Sequence, residues 1–111
     1  MAIIRNMTGA TLRFVDASDQ VVKTIEPEAI TVQLVDADTT TTLQGVLLRT
    51  LKPASFVGLP SVVAGTYLVV SPGIALALWE RGRGRTDVYE PEGPIVVNGD
   101  LCYRGARHYI D

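Results

Sequence analysis

Apolar and polar positions alternate along the first third of the chain with the two-residue period of half-buried strands. Leu12 and Phe14 point one way, Arg13 and Val15 the other. The polar stretch Asp16-Ala17-Ser18-Asp19-Gln20 reverses the chain, and Val21 to Ile25 return antiparallel, which predicts a hairpin. Beyond Glu26-Pro27-Glu28, the apolar positions Ile30, Val32 and Leu34 alternate with Thr31 and Gln33. They predict a third strand, with Pro27 marking its approach because a proline cannot donate to a central ladder. Asp36-Ala37-Asp38 and the threonines from Thr39 to Thr42 fit either a turn or an extended edge. Leu43 to Arg49 resumes the extended pattern, with Gly45 as a bulge or a close backbone approach.

Lys52-Pro53 and Gly58-Leu59-Pro60 punctuate the middle. Gly65 to Val70 then carries little polarity on either face and predicts an interior strand. Ser71-Pro72 reads as a helix start, Ser71 capping an orphan amide and Pro72 occupying the first helical position without losing a needed donor. Ile74 and Leu78 share a face four residues apart, and Gly82 ends the helix, so the pattern predicts one near residues 72–81. Asp87 to Pro94 reads as a loop or a short extended piece broken by prolines. Ile95 to Val97 is a strand, Asn98-Gly99 a hairpin turn, and Leu101 to Tyr103 the returning strand. The last residues, from Arg104 on, then have the option of packing near Arg81. These elements predict an α+β or small α/β fold: a compact mixed sheet of about five to seven short strands with one principal helix.

Composition narrows the function classes. A chain of 111 residues suits one domain, residues 1–111. One cysteine excludes an internal disulfide or a four-cysteine zinc site. A formal net charge of −2 gives no bulk reason to expect a polyanion binder. The apolar region from Tyr67 to Trp79 is too short and punctuated to span a membrane, and the opening lacks the basic start and apolar run of a secretory signal. The expectation is a cytoplasmic protein with no membrane contact.

Arg81-Gly82-Arg83-Gly84-Arg85 is the sharpest charge feature. It fits a solvated helix exit, a clamp on acidic groups of a protein partner, or a weak nucleic-acid contact. With Trp79 and Tyr103, the residues Arg81, Arg83 and Arg85 form the expected interaction surface. Cys102 and His108 are the nominal nucleophile and base for an enzymatic alternative, and Ser71, His108 and Asp87 can be drawn as a triad. Cys102, His108, Asp87 and Asp111 carry metal-ligating atoms without a recognisable spacing. Glu90 and Glu92 fit an ion held with water or solvated loop charges. Asp16 and Asp19 fit a solvated turn better than a calcium loop, lacking its repeated oxygen ligands and glycine. Val70-Ser71-Pro72-Gly73 has no phosphate-loop glycines or lysine, leaving only the helix amides for an anion.

Several blocks resemble a family of small, mostly uncharacterised bacterial and phage-associated proteins. Ile4-Arg5-Asn6-Met7-Thr8 is similar to that family's aliphatic-Asn-Leu-Thr-Pro-His opening, with Gly9 and Ala10 where the family has Pro and His. Gly58-Leu59-Pro60, Tyr67-Leu68-Val69-Val70-Ser71, Gly84-Arg85-Thr86-Asp87-Val88 with Pro91, and Gly99 with Cys102 and Arg104 resemble its other recurring blocks. The resemblance implies a phage or mobile-element setting and brings no catalytic assignment. The expected function is a non-catalytic interaction or structural accessory protein without a cofactor, partnered by another protein or by itself. A small-molecule enzyme using Cys102 and His108, and a nucleic-acid module using Arg81 to Arg85, are the alternatives.

Overall fold

The run at residues 66–70 sends Leu68 and Val70 to one face of a strand and Tyr67 and Val69 to the other, and being apolar on both it belongs inside a sheet. A computed structural model, describing residues 2–35, 39–50, 55–81 and 85–109, places it there. The elements begin with β1 (Ile3–Asn6), β2 (Leu12–Val15), β3 (Val21–Ile25) and β4 (Gln33–Val35). Next come β5 (Thr39–Leu43), β6 (Val46–Thr50), β7 (Ser55–Val57) and β8 (Thr66–Val69). Helix α1 (Ile74–Glu80), β9 (Val88–Val97) and β10 (Asp100–Arg107) complete the order.

A six-stranded mixed sheet, β1-β8-β9-β10-β2-β3, forms the body. β8 runs parallel to both β1 and β9, whereas β9–β10 and β2–β3 are antiparallel hairpins joined by a parallel β10–β2 contact. Helix α1 covers one face: Leu68, Val70, Val88, Met7 and Val32 pack against Ala75 and Leu78. The two outer strands also approach each other. Glu28 N–H donates to the Asn6 carbonyl at 2.8 Å, and the Asn6 side chain donates to the carbonyls of Ile25 and Ala10 at 2.9 and 2.7 Å. Asn6 Oδ1 in turn accepts from the Thr8 amide and hydroxyl, so this buried side chain is fully satisfied and holds the curled sheet at one end.

Several expectations are corrected in detail. A bulge between Phe14 and Val15 breaks the alternation of β2, so Leu12 and Val15, rather than Leu12 and Phe14, are the deeply buried pair. Of the two readings of the Pro-containing stretch after Asp87, the extended one holds, and it is longer than expected: the first part of the ten-residue strand β9. Its pairing with β8 stops at Tyr89, so Pro91 and Pro94 pair only with β10 and break no ladder on the other side. Gly45 is not a bulge. With Gln44 at φ 50° and Gly45 at φ 77°, the two form a left-handed two-residue turn between β5 and β6. Helix α1 starts at Ile74, two residues later than predicted, and the expected terminator Gly82 lies outside the described residues.

β4 pairs with β7 and β5 with β6, both antiparallel, making the base and tip of an arm. Val32 and the flanking Phe56 and Leu59 root the base in the core. Gly58 is required at this root: its φ is +85°, and a Cβ there would stand 2.4 Å from the Thr31 carbonyl oxygen. Every residue from 40 to 49 is exposed. The radius of gyration is 17.3 Å, against about 13 Å for a compact chain of this length. Likewise the accessible surface of 7255 Å² exceeds the roughly 6,000 Å² expected for this mass.

Candidate functional site: the arm and the open face of the sheet

The arm is amphipathic, and its register shows why. Residues directly opposite in an antiparallel pair share a face, and the face switches at each step along the strand. Leu43 pairs with Val46 and Thr41 with Leu48, putting three aliphatic side chains and a threonine methyl on one side. Thr42 with Leu47 and Thr40 with Arg49 occupy the other. Leu43, Val46 and Leu48 are 61, 58 and 44% exposed. A lone two-stranded ribbon is marginally stable in water, and leaving a coherent apolar face uncovered forgoes the stabilisation that burial supplies.

A second uncovered apolar region lies on the sheet face away from α1. Ala2, Ile4, Tyr67, Val69, Tyr89 and Ala106 line a groove of about 320 Å³ that carries no ionisable group apart from the two tyrosine hydroxyls. Tyr67 and Tyr89 meet edge to face at 5.9 Å, and the His108 ring stacks on Tyr89 at 4.6 Å, which stiffens one wall. Beside it, the outer strands line a more polar cleft of about 400 Å³ between Ala2, Ile3 and Ile4 on one side and Lys23 to Glu26 on the other. At its closed end, Arg5 Nε and one terminal nitrogen donate to both Glu28 carboxylate oxygens at 2.7–3.2 Å. That hydrogen bonding, foremost, holds the Glu28 carboxyl below its ordinary value and raises the Arg5 guanidinium.

Among the described residues, the members of the interaction surface expected from the sequence are each engaged with separate partners. Arg85 is committed internally: Nε and one terminal nitrogen bind the two Asp87 oxygens at 2.9 and 2.7 Å, and the other donates to the Pro60 carbonyl at 2.7 Å. It pins the 58–60 segment to the start of β9. Arg81 turns back to the Ala77 carbonyl at 3.3 Å, and Arg83 lies outside the described residues. Trp79 stacks on Tyr109 at 5.9 Å, with the Arg107 guanidinium 5.7 Å from the same ring. Tyr109 thus packs against the last turn of the helix at Trp79. Tyr103 sits elsewhere, beside Phe14 on β2.

Ser71 does not cap the helix; its hydroxyl donates to the Thr8 carbonyl at 3.4 Å. Pro72 precedes the helix in a turn, and Gly73, in the left-handed region, takes the cap position. The amide there is served from a distance, Gly73 N–H donating to Glu90 Oε2 at 2.6 Å. Glu90 is thus a buried cap and not a solvated loop charge, and the site left open for an anion is filled by the protein's own carboxylate. Arg107 Nε also approaches Glu90 at 3.5 Å, and hydrogen bonding to Glu90, followed by burial, pushes the Tyr109 hydroxyl above its ordinary value. Asn98 and Gly99, at φ 52° and 84°, make the expected turn between β9 and β10.

The Cys102–His108 pair is not assembled. Cys102 is fully buried, its thiol directed to the Asp100 carbonyl at 3.6 Å. His108 follows the end of β10, six residues and about 20 Å of extended chain away, with Nδ1 at 3.1 Å from the Thr86 carbonyl. The Ser71-His108-Asp87 drawing fails for the same reason, each member being held by a different partner. Among the described residues, no three His, Cys, Asp or Glu side chains cluster to hold a metal ion. Asp16 closes its own turn, accepting from the Ser18 and Gln20 amides at 2.8 and 3.0 Å, and Asp19 pairs with Arg104. No helix among the described residues is long and apolar enough to cross a membrane.

The sequence signal for the arm was present in the four threonines followed by Leu43 and Val46 to Leu48, but it reads equally as one edge strand until Gln44-Gly45 is recognised as the turn. Comparisons with family models, with characterised proteins and with solved structures each find no match.

Proposed function

We propose that the protein is a non-catalytic structural accessory component that works by assembly, its arm being the contacting element. One observation carries this reading: Leu43, Val46 and Leu48 share a face of the ribbon that the folded chain leaves exposed. The surplus of accessible surface and the rooting of the arm's base at Val32, Phe56 and Leu59 in the core support it. The sequence blocks that resemble phage-associated proteins are the ground for proposing a phage or mobile-element setting.

The test is a triple variant, Leu43→Thr, Val46→Thr, Leu48→Thr, compared with the parent at high dilution by chemical unfolding. Threonine keeps strand propensity while removing the apolar face. The expected result is a body of unchanged stability, within about 0.5 kcal/mol, together with weaker binding of a hydrophobic dye. Loss of several kcal/mol would show that the arm face belongs to the core and would overturn the reading.

A further inference from the structure

Resting on that reading, we propose that the occupant of the arm's apolar face is a second copy of this chain, whose groove at Ile4, Tyr67 and Tyr89 receives Leu43, Val46 and Leu48. Three observations lead there. The chain exposes roughly 1,200 Å² more than a compact protein of its mass. A stable protein–protein contact removes about 800 Å² from each partner, so the surplus is large enough to accommodate one such contact. The same chain carries both halves of a match, a projecting aliphatic face and a receding apolar groove. A cavity of roughly 150 Å³ holds one benzene-sized group, so about 320 Å³ has room for the larger side chains of the ribbon tip.

Charge selects against charged occupants. Residues 39–48 carry no charged side chain, and Arg49 lies on the opposite face of the ribbon. The groove likewise presents no Lys, Arg, Asp or Glu. A nucleic acid would find no phosphate contacts on these surfaces, and an acidic or basic peptide would lose hydration without a counter-charge. Two uncharged faces incur no such cost. Because arm and groove are different patches, the contact is either reciprocated across a two-fold axis or repeated into a ring or filament.

The experiment measures mass by sedimentation from about 1 to about 500 μM for the parent, the arm variant Leu43→Asp/Leu48→Asp and the groove variants Ile4→Asp and Tyr67→Ser, with circular dichroism confirming each fold. The parent is expected to pass from 12.0 kDa to at least twice that mass. Each variant should raise the midpoint concentration roughly tenfold or more, because each removes a buried apolar contact. A pair of cysteines, Leu43→Cys with Ile4→Cys in a Cys102→Ala background, should form an intermolecular disulfide on oxidation, which keeps the test open if Ile4→Asp misfolds. A parent that stays at 12.0 kDa throughout overturns the second copy as occupant while leaving the arm reading to its own unfolding test. Self-association unaffected by the arm variant overturns both. Self-association sensitive to the arm but not to either groove variant, with no cross-link, overturns the groove as the seat.

Discussion

Leu68 and Leu47 are the same side chain in two settings, and they divide the molecule. In the body, Leu68 is 1% exposed between β1, β9 and the helix, and the polar groups around it are paired: Asn6 fully, Glu90 to the helix amide and Arg85 to Asp87 and Pro60. In the arm, Leu47 is 64% exposed on a ribbon whose two strands pair with each other. Around Leu68, the body pairs its own buried polar groups. The arm is regular in backbone and incomplete in burial, and that mismatch is the ground for the proposed role in assembly.

Substitutions at matched positions sharpen the contrast. Leu68→Ala should lose about 2–5 kcal/mol in chemical unfolding, whereas Leu47→Ala should change the dilute protein by less than about 0.5 kcal/mol. A similar loss at both would erase the distinction. Next in size, Gly58→Ala faces both a left-handed φ and the Thr31 carbonyl, so its cost should exceed the ~1–2 kcal/mol left-handed penalty that Gly45→Ala meets with nothing within 4 Å. Equal midpoint shifts for these two glycines would mean the root of the arm is looser than its geometry implies.

Glu90→Ala should cost about 1–3 kcal/mol by stranding the Gly73 amide and Arg107, with loss of helical signal in circular dichroism. Ser71→Ala should cost much less, because its hydroxyl makes one long bond away from the cap. The smallest effect belongs to the Arg5–Glu28 pair, about a third exposed on each side and so worth less than about 1 kcal/mol. The pair holds the Glu28 carboxyl below its unfolded value, so its contribution is present above that value and is lost as pH falls through the lowered one. Glu28→Gln should therefore weaken the protein slightly at neutral pH, and the difference from the parent should close as pH falls through the lowered Glu28 value. A difference that persists at low pH would assign it to packing rather than charge.

Local signals in the chain were strong where a single principle governed the outcome. Asn98-Gly99 demanded a left-handed turn, and the apolar run at 66–70 demanded a sheet interior; both are where periodicity and turn chemistry place them. What stayed hidden depended on distant partners. Ser71 has the chemistry of a cap, yet the carboxylate that performs the role arrives from Glu90, seventeen residues beyond the Gly73 amide it accepts from. Arg85 looks available in an Arg-Gly stretch, but Asp87 and the Pro60 carbonyl claim all of its fork. Pro91 and Pro94 argued against a strand because their freedom from a second neighbour is a property of where β8 stops. The arm was half legible, since its strands are local but its lack of a covering partner is a fact about the whole fold.

Amide hydrogen exchange, followed by mass spectrometry at about 1 and about 500 μM, tests the division of labour most directly. The account predicts that amides of residues 40–48 exchange rapidly at the lower concentration and become protected at the higher, while Leu68, Val70 and Val88 stay protected at both. Arm amides as slow as those of β8 in the dilute protein, or unchanged by concentration, would contradict it.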